Sequence, residues 1–466
     1  MTQTTQKRPI VAIITMFFLF AMISFVTNLA APIGTIWGNT YEGNSVLGMM
    51  GNMMNFLAYL FMGIPAGKLL EKIGYKKTAL WALGIGVVGL LIQYLSGIVG
   101  ADTVVFSSES VVDGVLTQYS VCANFIVYLL GAFVCGFCVC MLNTVVNPML
   151  NLLGGGGNKG NQLIQTGGAL NSLSGTLTPF FVGALIGQLT KDTTIQRVSP
   201  LLFIAMGIFV VAFIILTVVQ IPEPNKADDK AEKVVYKHSA WNFRHFVLGV
   251  IGIFFYVGIE VGIPGTLNFY LADQTASGAG VAGDASTIAG AIVAIYWLLM
   301  LVGRSCSSII SGRVSARAQL MVAAAVAIVF IVIGICLPKS ATVPVPEFIY
   351  SGGAVVPASA FLLILCGLCT SVMWGGIFNI AVEGLGKYVA QASGIFMMMV
   401  VGGGVMPLLQ QGLARISGYM GSYWLVVAML AYLFFYAVVG YKKVNYLDEF
   451  DNKKEKELEN AIEDAL

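Results

Sequence analysis

One carboxylate stands in the stretch FFYVGIEVGIP, residues 254–264, where every neighbour of Glu260 is apolar, aromatic or glycine. A carboxyl group so placed has two chemical uses. It can take up and release a proton, and when ionised it accepts strong hydrogen bonds from hydroxyl groups. A third use is structural: a protonated acid bonded to a neighbouring helix. Tyr256 lies four residues earlier and so shares its helical face. The other polar side chains in apolar surroundings are amides, Asn28, Asn52, Asn55, Asn147, Asn171, Asn268 and Asn379. Amides both donate and accept, which suits neutral polyhydroxylated molecules. Trp374 precedes Asn379, and Tyr296–Trp297 forms a second aromatic pair; such rings stack on apolar faces. Each of these groups has a structural alternative, since membrane amides also join helices and indoles also pack. Lys and Arg are absent from the deep stretches. Arg304 falls at the end of an apolar run, so Glu260 is expected to lack a cationic partner.

The elements that must position these groups are legible from composition. Of the 466 residues, 57% are hydrophobic and 10% charged, against about 25% charged in soluble domains. Apolar runs long enough to cross a bilayer recur along the chain. They predict an all-α polytopic membrane protein and exclude a barrel, whose segments would be short and alternating. Twelve spans are expected, near 10–37, 45–70, 78–99, 120–152, 162–188, 198–220, 244–271, 285–310, 318–337, 358–384, 389–414 and 421–440. The first follows Lys7 and Arg8 and is too long for a signal peptide. With both termini inside, twenty-one of the 25 Lys and Arg residues fall on the cytoplasmic side, as the positive-inside rule requires.

The charged, proline-led stretch 221–243 separates two sets of six spans. The expected organisation is an N-terminal six-helix half (1–220), a cytoplasmic linker (221–243), a second half (244–440) and a charged cytoplasmic tail (441–466). Two halves around a linker is the plan of transporters whose site lies between pseudo-symmetric repeats. In the seventh span, Gly258, Gly262, Pro264 and Gly265 predict a broken helix, because proline removes a backbone hydrogen bond; Asn268 would follow the break. The run NLLGGGGNKGNQ (151–162) has no G-K-[ST] and no preceding strand, so it is not a phosphate loop; a flexible hinge is expected there. The eight cysteines sit in apolar runs and behave as small hydrophobes, and the two histidines, His238 and His245, adjoin the linker. No catalytic cluster, cofactor site or nucleic-acid-binding patch emerges, and nothing predicts ATP as an energy source.

The second span ends in GKLLEKIGYKK, with Gly67, Glu71, Lys72, Gly74, Lys76 and Lys77. This resembles the loop motif of the major facilitator superfamily, G-x-x-x-D/E-R/K-x-G-x-R/K-R/K, and SIISGRVSAR (308–317) is its weaker counterpart after the eighth span. The resemblance implies that Gly67 permits close helix contact and that Glu71 pairs across the two halves. The lysines would anchor at lipid or at helix-end carbonyls, and Arg304 would belong to the same switching region. Four further stretches, NTVVNPMLNLLG (143–154), ALNSLSGTLTP (169–179), FFYVGIEVGIPGTLNFYL (254–271) and FMMMVVGGGVMP (396–407), resemble the fucose–proton and glucose/galactose symporter family of bacteria. The fucose branch carries acids where this chain has Ala31 and Asn143, and a glutamine where it has Gly168. The glucose/galactose branch has Glu in the seventh span, as here.

The resemblance therefore implies an importer of a neutral hexose or hexose derivative in the bacterial cytoplasmic (inner) membrane. It would work by alternating access and be driven by protons through Glu260. Sodium coupling, uncoupled uniport and export of amphiphilic molecules are the alternatives. Asn28, Asn147, Asn171, Tyr256, Glu260, Asn268, Trp374 and Asn379 are the expected substrate-binding residues. The expected partners are the sugar, a proton or sodium ion and the bilayer, without nucleic acid, in the monomeric state usual for the superfamily.

Overall fold

Lipid offers backbone N–H and C=O groups no partner, so uncharged apolar stretches form helices that satisfy these groups internally. The computed structural model describes residues 10–442, apart from 42–44, 113–114, 187–194, 224–238, 274–275, 284, 348 and 351–352. The first half comprises α1 (Ile10–Asn28), α2 (Ala30–Thr40), α3 (Ser45–Leu95), α4 (Ala123–Leu153), α5 (Gly157–Ile186) and α6 (Ser199–Val218). The second comprises α7 (Arg244–Ala272), α8 (Ala285–Ile310), α9 (Ala316–Cys336), α10 (Ala358–Thr370), α11 (Met373–Val382), α12 (Val389–Met398) and α13 (Gly402–Phe435). Most of the expected linker and all but the first two residues of the expected tail lie outside the described residues.

Among the described residues, nine continuous helical stretches are long and apolar enough to cross a membrane. Two of them turn at a glycine and account for two crossings each. These are Gly74 in α3, at φ 85° and ψ 175°, and Gly418 in α13, at φ 77° and ψ 165°; both conformations suit only a residue without Cβ. α5, 30 residues long, is the further helix that the expected twelve crossings require.

Helix breaks fall where the sequence reading did not put them. α7 runs unbroken through Pro264, which corrects the expected interruption before Asn268. α7 packs closely against α13 on both sides of the proline: a Cβ on Gly258 would lie 2.5 Å from Met406 Cβ, and Tyr423 donates to the Ile263 carbonyl at 2.8 Å. The first crossing instead breaks at Leu29, between α1 and α2. Pro32 follows there, and it cannot donate to the carbonyl of residue 28. The tenth crossing breaks at Ser371–Val372, between α10 and α11. The all-α membrane fold holds, and two short hairpins lie outside the helices. β1 (Val104–Val112) and β2 (Val115–Cys122) pair antiparallel, as do β3 (Thr342–Pro344) and β4 (Val355–Pro357). The first pair is rich in Val and flanks Asp113–Gly114, a sequence signature of a hairpin turn.

The halves meet most tightly where α3 crosses α12. A Cβ on Gly63 would lie 2.5 Å from the Met398 backbone nitrogen, and one on Gly67 would lie 3.0 Å from Gly394 Cα. Small residues allow such contact between membrane helices, and Ser393 Oγ adds a hydrogen bond to the Thr144 carbonyl at 3.1 Å. Gly63→Val is expected to push α3 and α12 apart at a cost of about 1–3 kcal/mol. The check is labelling of a cysteine introduced at Ser393 by a hydrophilic thiol reagent, with exposed Cys306 and Cys336 replaced. Labelling should rise; unchanged labelling would show that the seam repacks.

Candidate functional site

Helical spacing sets the centre of the site. Tyr256 and Glu260 lie one turn apart on α7, and Tyr256 Oη donates to Glu260 Oε1 at 2.8 Å. The same oxygen accepts from Arg304 Nη2 at 3.0 Å, an ion pair whose side chains are only 11% (Arg304) and 16% (Glu260) exposed. The expectation that Glu260 lacks a cation is therefore corrected. Arg304 starts near the end of α8, but its long stem carries the guanidinium inward. Its stem lies against the other half. At Gly168 on α5 an added Cβ would stand 3.4 Å from Arg304 Cδ, so the arginine stem runs in direct contact with this glycine. Arg304 Nη1 donates to Ser172 Oγ at 2.7 Å and to the Gly168 carbonyl at 3.2 Å. One guanidinium thus binds both halves, with its charge matched by Glu260.

Beside this cluster, Tyr256 and Trp374 rings approach to 6.1 Å between centroids. Trp374 Nε1 donates to Asn147 Oδ1 at 3.0 Å, again across the halves. Asn147 Nδ2 donates to the Asn143 carbonyl at 2.9 Å, and Asn143 Nδ2 to Tyr59 Oη at 2.9 Å. The structure therefore brings together Tyr256, Glu260, Trp374 and Asn147 of the expected residues. Asn171 is engaged with the Phe20 carbonyl at 2.8 Å, and Asn28 with the Ser24 carbonyl at 2.8 Å. Asn268 lies further along α7, part-buried.

Asn379 belongs to a different group. Its Oδ1 accepts from Asn151 at 2.8 Å and its Nδ2 donates to the Gly157 carbonyl at 3.1 Å. Two more amides of α5 join the halves nearby. Asn161 donates to Ser311 Oγ at 3.0 Å, and Gln165 donates to the Val372 carbonyl at 3.0 Å, at the α10–α11 break. All three links are neutral. The sequence reading passed over Asn151, Asn161 and Gln165. A signal was present, because Asn161 and Gln165 stand four apart and share one face of α5.

The loop-motif residues lie at this same joined end. Gly74 makes the turn, and the Glu223 carboxylate accepts from the backbone N–H of Tyr75 at 2.7 Å and of Lys76 at 2.8 Å. Lys76 Nζ donates to the Thr217 and Val219 carbonyls, 2.8 and 2.9 Å away at the end of α6, where a cation is favoured by the helix dipole. Glu71 accepts from the backbone N–H of Gln391 at the start of α12, a contact between the halves. Lys72 and Lys77 are exposed. Among the described residues, no group of His, Cys, Asp and Glu could hold a metal ion.

Comparison with known proteins fits this geometry. A model described as the Major Facilitator Superfamily matches residues 13–405. The chain is 31% identical over 445 residues to a glucose/galactose transporter of Brucella abortus, covering 94% of this chain and 96% of that one. It is 25% identical over 456 residues to a putative glucose/galactose transporter of Helicobacter pylori, covering 95% and 99%. Among solved structures, the fucose:proton symporter of E. coli superposes with a TM-score of 0.71 at 16% identity, covering 92% and 99%. A proton:xylose symporter superposes at 0.65 with 12% identity, covering 95% and 99%. At such identities the solved structures speak for the fold.

Proposed function

Because the chain belongs to the major facilitator superfamily, we propose that it imports a neutral monosaccharide, a hexose or hexose derivative, by alternating access coupled to protons through Glu260. The observation that carries this reading is the Tyr256–Glu260–Arg304–Ser172 chain, which joins the two halves through one titratable carboxylate. The names of the relatives support a hexose. Tyr256, Trp374 and Asn147 supply hydroxyl, ring and amide groups beside the carboxylate, and Asn28, Asn171 and Asn268 are the further candidates. Asn379 serves the joined end instead.

In this mechanism the basic, joined end faces the cytoplasm, as the positive-inside rule requires. The neutral amide links at Asn151–Asn379, Asn161–Ser311 and Gln165–Val372 close that side. While Glu260 is ionised, Arg304 is held between the halves by a charge-assisted bond. A proton arriving at Glu260 removes the acceptor's charge, so the ion pair becomes a weaker bond from the guanidinium to a neutral carboxyl. The second half is then released from the Arg304–Ser172 contact, and the halves can rock about the bound sugar. Lys76 of α3 holds the end of α6 within the first half through the movement, whereas the contact of Glu71 with α12 spans the halves and opens with the amide links.

One observation favours a second reading, an uncoupled uniporter: the Glu260–Arg304 pair is already neutral without a proton. Purified protein in liposomes separates the two. Labelled glucose and galactose should accumulate when the lumen is made alkaline relative to the outside. Equilibration without accumulation indicates a uniporter. Accumulation on a sodium gradient alone transfers the coupling to sodium. Transport of neither sugar nor any other hexose sinks the proposal.

A further inference from the structure

We infer that Gln410, on α13, is a specificity residue that hydrogen-bonds a hydroxyl group of the transported sugar, an inference that rests on the substrate reading above and extends it to the seam between α7 and α13. Gln410 is fully buried, yet neither its Oε1 nor its Nε2 has a hydrogen-bond partner. Buried amides are almost always satisfied, and an unpaired one invites an explanation. Lack of local partners is not that explanation. The next residue, Gln411, donates to Thr266 Oγ1 on α7 at 2.9 Å, so an amide on this part of α13 can be satisfied by α7.

The position is built for the side chain. At Gly262, two residues beyond Glu260 on α7, an added Cβ would stand 2.5 Å from Gln410 Oε1; any larger residue would displace the carboxamide. One turn further, a Cβ on Gly265 would meet nothing within 4 Å, so open space adjoins the pocket that Gly262 leaves. Gln410 also shares a helical face with Gly403, two turns away. There an added Cβ would meet Val257 Cγ1 at 2.6 Å and Phe56 Cε1 of the opposite half at 2.7 Å. That face of α13 therefore looks toward the boundary between the halves. Gln410 stands on the side of this meeting point away from the joined end.

The chemistry of the missing partner follows from the amide. It offers two donors and one acceptor group, which a hydroxyl pair of a carbohydrate matches by both accepting and donating. A cation would find one neutral oxygen, and an anion would meet the amide oxygen as well as its N–H. In the described state α7 seals the carboxamide. Movement of α7 along its glycine face, Gly258, Gly262 and Gly265, would admit the sugar.

The test compares Gln410→Leu and Gln410→Asn with the wild-type protein. Binding of glucose, galactose and their monodeoxy derivatives is measured by thermal shift and by competition for labelled sugar. Leucine removes two unsatisfied polar atoms at similar volume, so Gln410→Leu should melt at or above the wild-type temperature. It should bind the parent sugar about tenfold more weakly, a loss of one charge-neutral hydrogen-bonded group. It should also lose the wild-type preference for the parent over one deoxy derivative. Gln410→Asn keeps the amide but shortens it, and should weaken the same sugar while preserving the preference. The inference is overturned if either folded variant binds every sugar as the wild type does, which would leave Gln410 a packing residue. If the wild type itself binds no hexose, the substrate reading fails with it, an outcome distinct from equal binding by variant and wild type.

Discussion

Replacing Glu260 by glutamine is expected to abolish sugar accumulation driven by a pH gradient while leaving sugar exchange across the membrane intact. Glutamine keeps the shape of the side chain and can still accept from Tyr256 Oη and Arg304 Nη2 through its carbonyl, so the 2.8 and 3.0 Å contacts can persist, although the guanidinium then faces a neutral acceptor instead of a counter-charge. What disappears is the titration. If the proton acts by weakening the link between Glu260 and Arg304, a side chain that is always neutral leaves that link permanently weak. The carrier then reorients whether or not a proton is present, and the gradient has nothing to act on. The measurement is paired: accumulation of labelled sugar under an imposed pH gradient, and counterflow with unlabelled sugar inside and no gradient. Loss of the first with retention of the second is the expected result. Persistence of pH-driven accumulation in Glu260→Gln would remove Glu260 from the coupling. Loss of both would assign it to sugar binding, consistent with a carboxylate bonded to Tyr256, whose ring lies against Trp374.

Much of this molecule was legible in its residues. Uncharged runs and the distribution of Lys and Arg give the crossings, because lipid admits few backbone solutions. The four-residue spacing of Tyr256 and Glu260 gives their hydrogen bond, because it lies within one helix. Features that depend on two distant segments were not legible. The partner of Glu260 is reached by a side chain that starts near a helix end, and its guanidinium is held by the carbonyl of Gly168, 136 positions away in sequence. Asn379 read as a cavity residue because an amide in an apolar run carries no mark of its partner; Asn151, 228 positions earlier, decides its place. Pro264 shows the same limit from the other side. A proline announces a lost backbone bond, but α7 continues as helix through it, packed along α13 at Met406 and Tyr423. The hairpin at 104–122 was legible, with its Val-rich strands flanking Asp113–Gly114, and was overlooked beside the stronger signal of the apolar runs.

The second large effect is expected at Arg304, on stability as well as transport. Arg304→Met keeps most of the volume of the stem and removes the guanidinium, so Glu260 loses its counter-charge, and Ser172 and the Gly168 carbonyl lose their donor. Removing one member of a buried pair leaves an uncompensated charge, at a cost of about 3–5 kcal/mol. The carboxyl can escape that cost by taking up a proton. Thermal unfolding of Arg304→Met in detergent should therefore show its largest loss at alkaline pH, where the orphaned carboxylate is ionised, and a smaller loss at acidic pH. The double variant Glu260→Gln, Arg304→Met carries no buried charge and should recover most of the stability, so the two substitutions together cost much less than the sum of each alone. If the losses add, or if Arg304→Met melts alike at both pH values, Glu260 and Arg304 do not depend on each other for their charge. The neutralisation of Glu260 could then not be what releases the two halves. If coupling as well as stability returns in the double variant, some other group carries the proton.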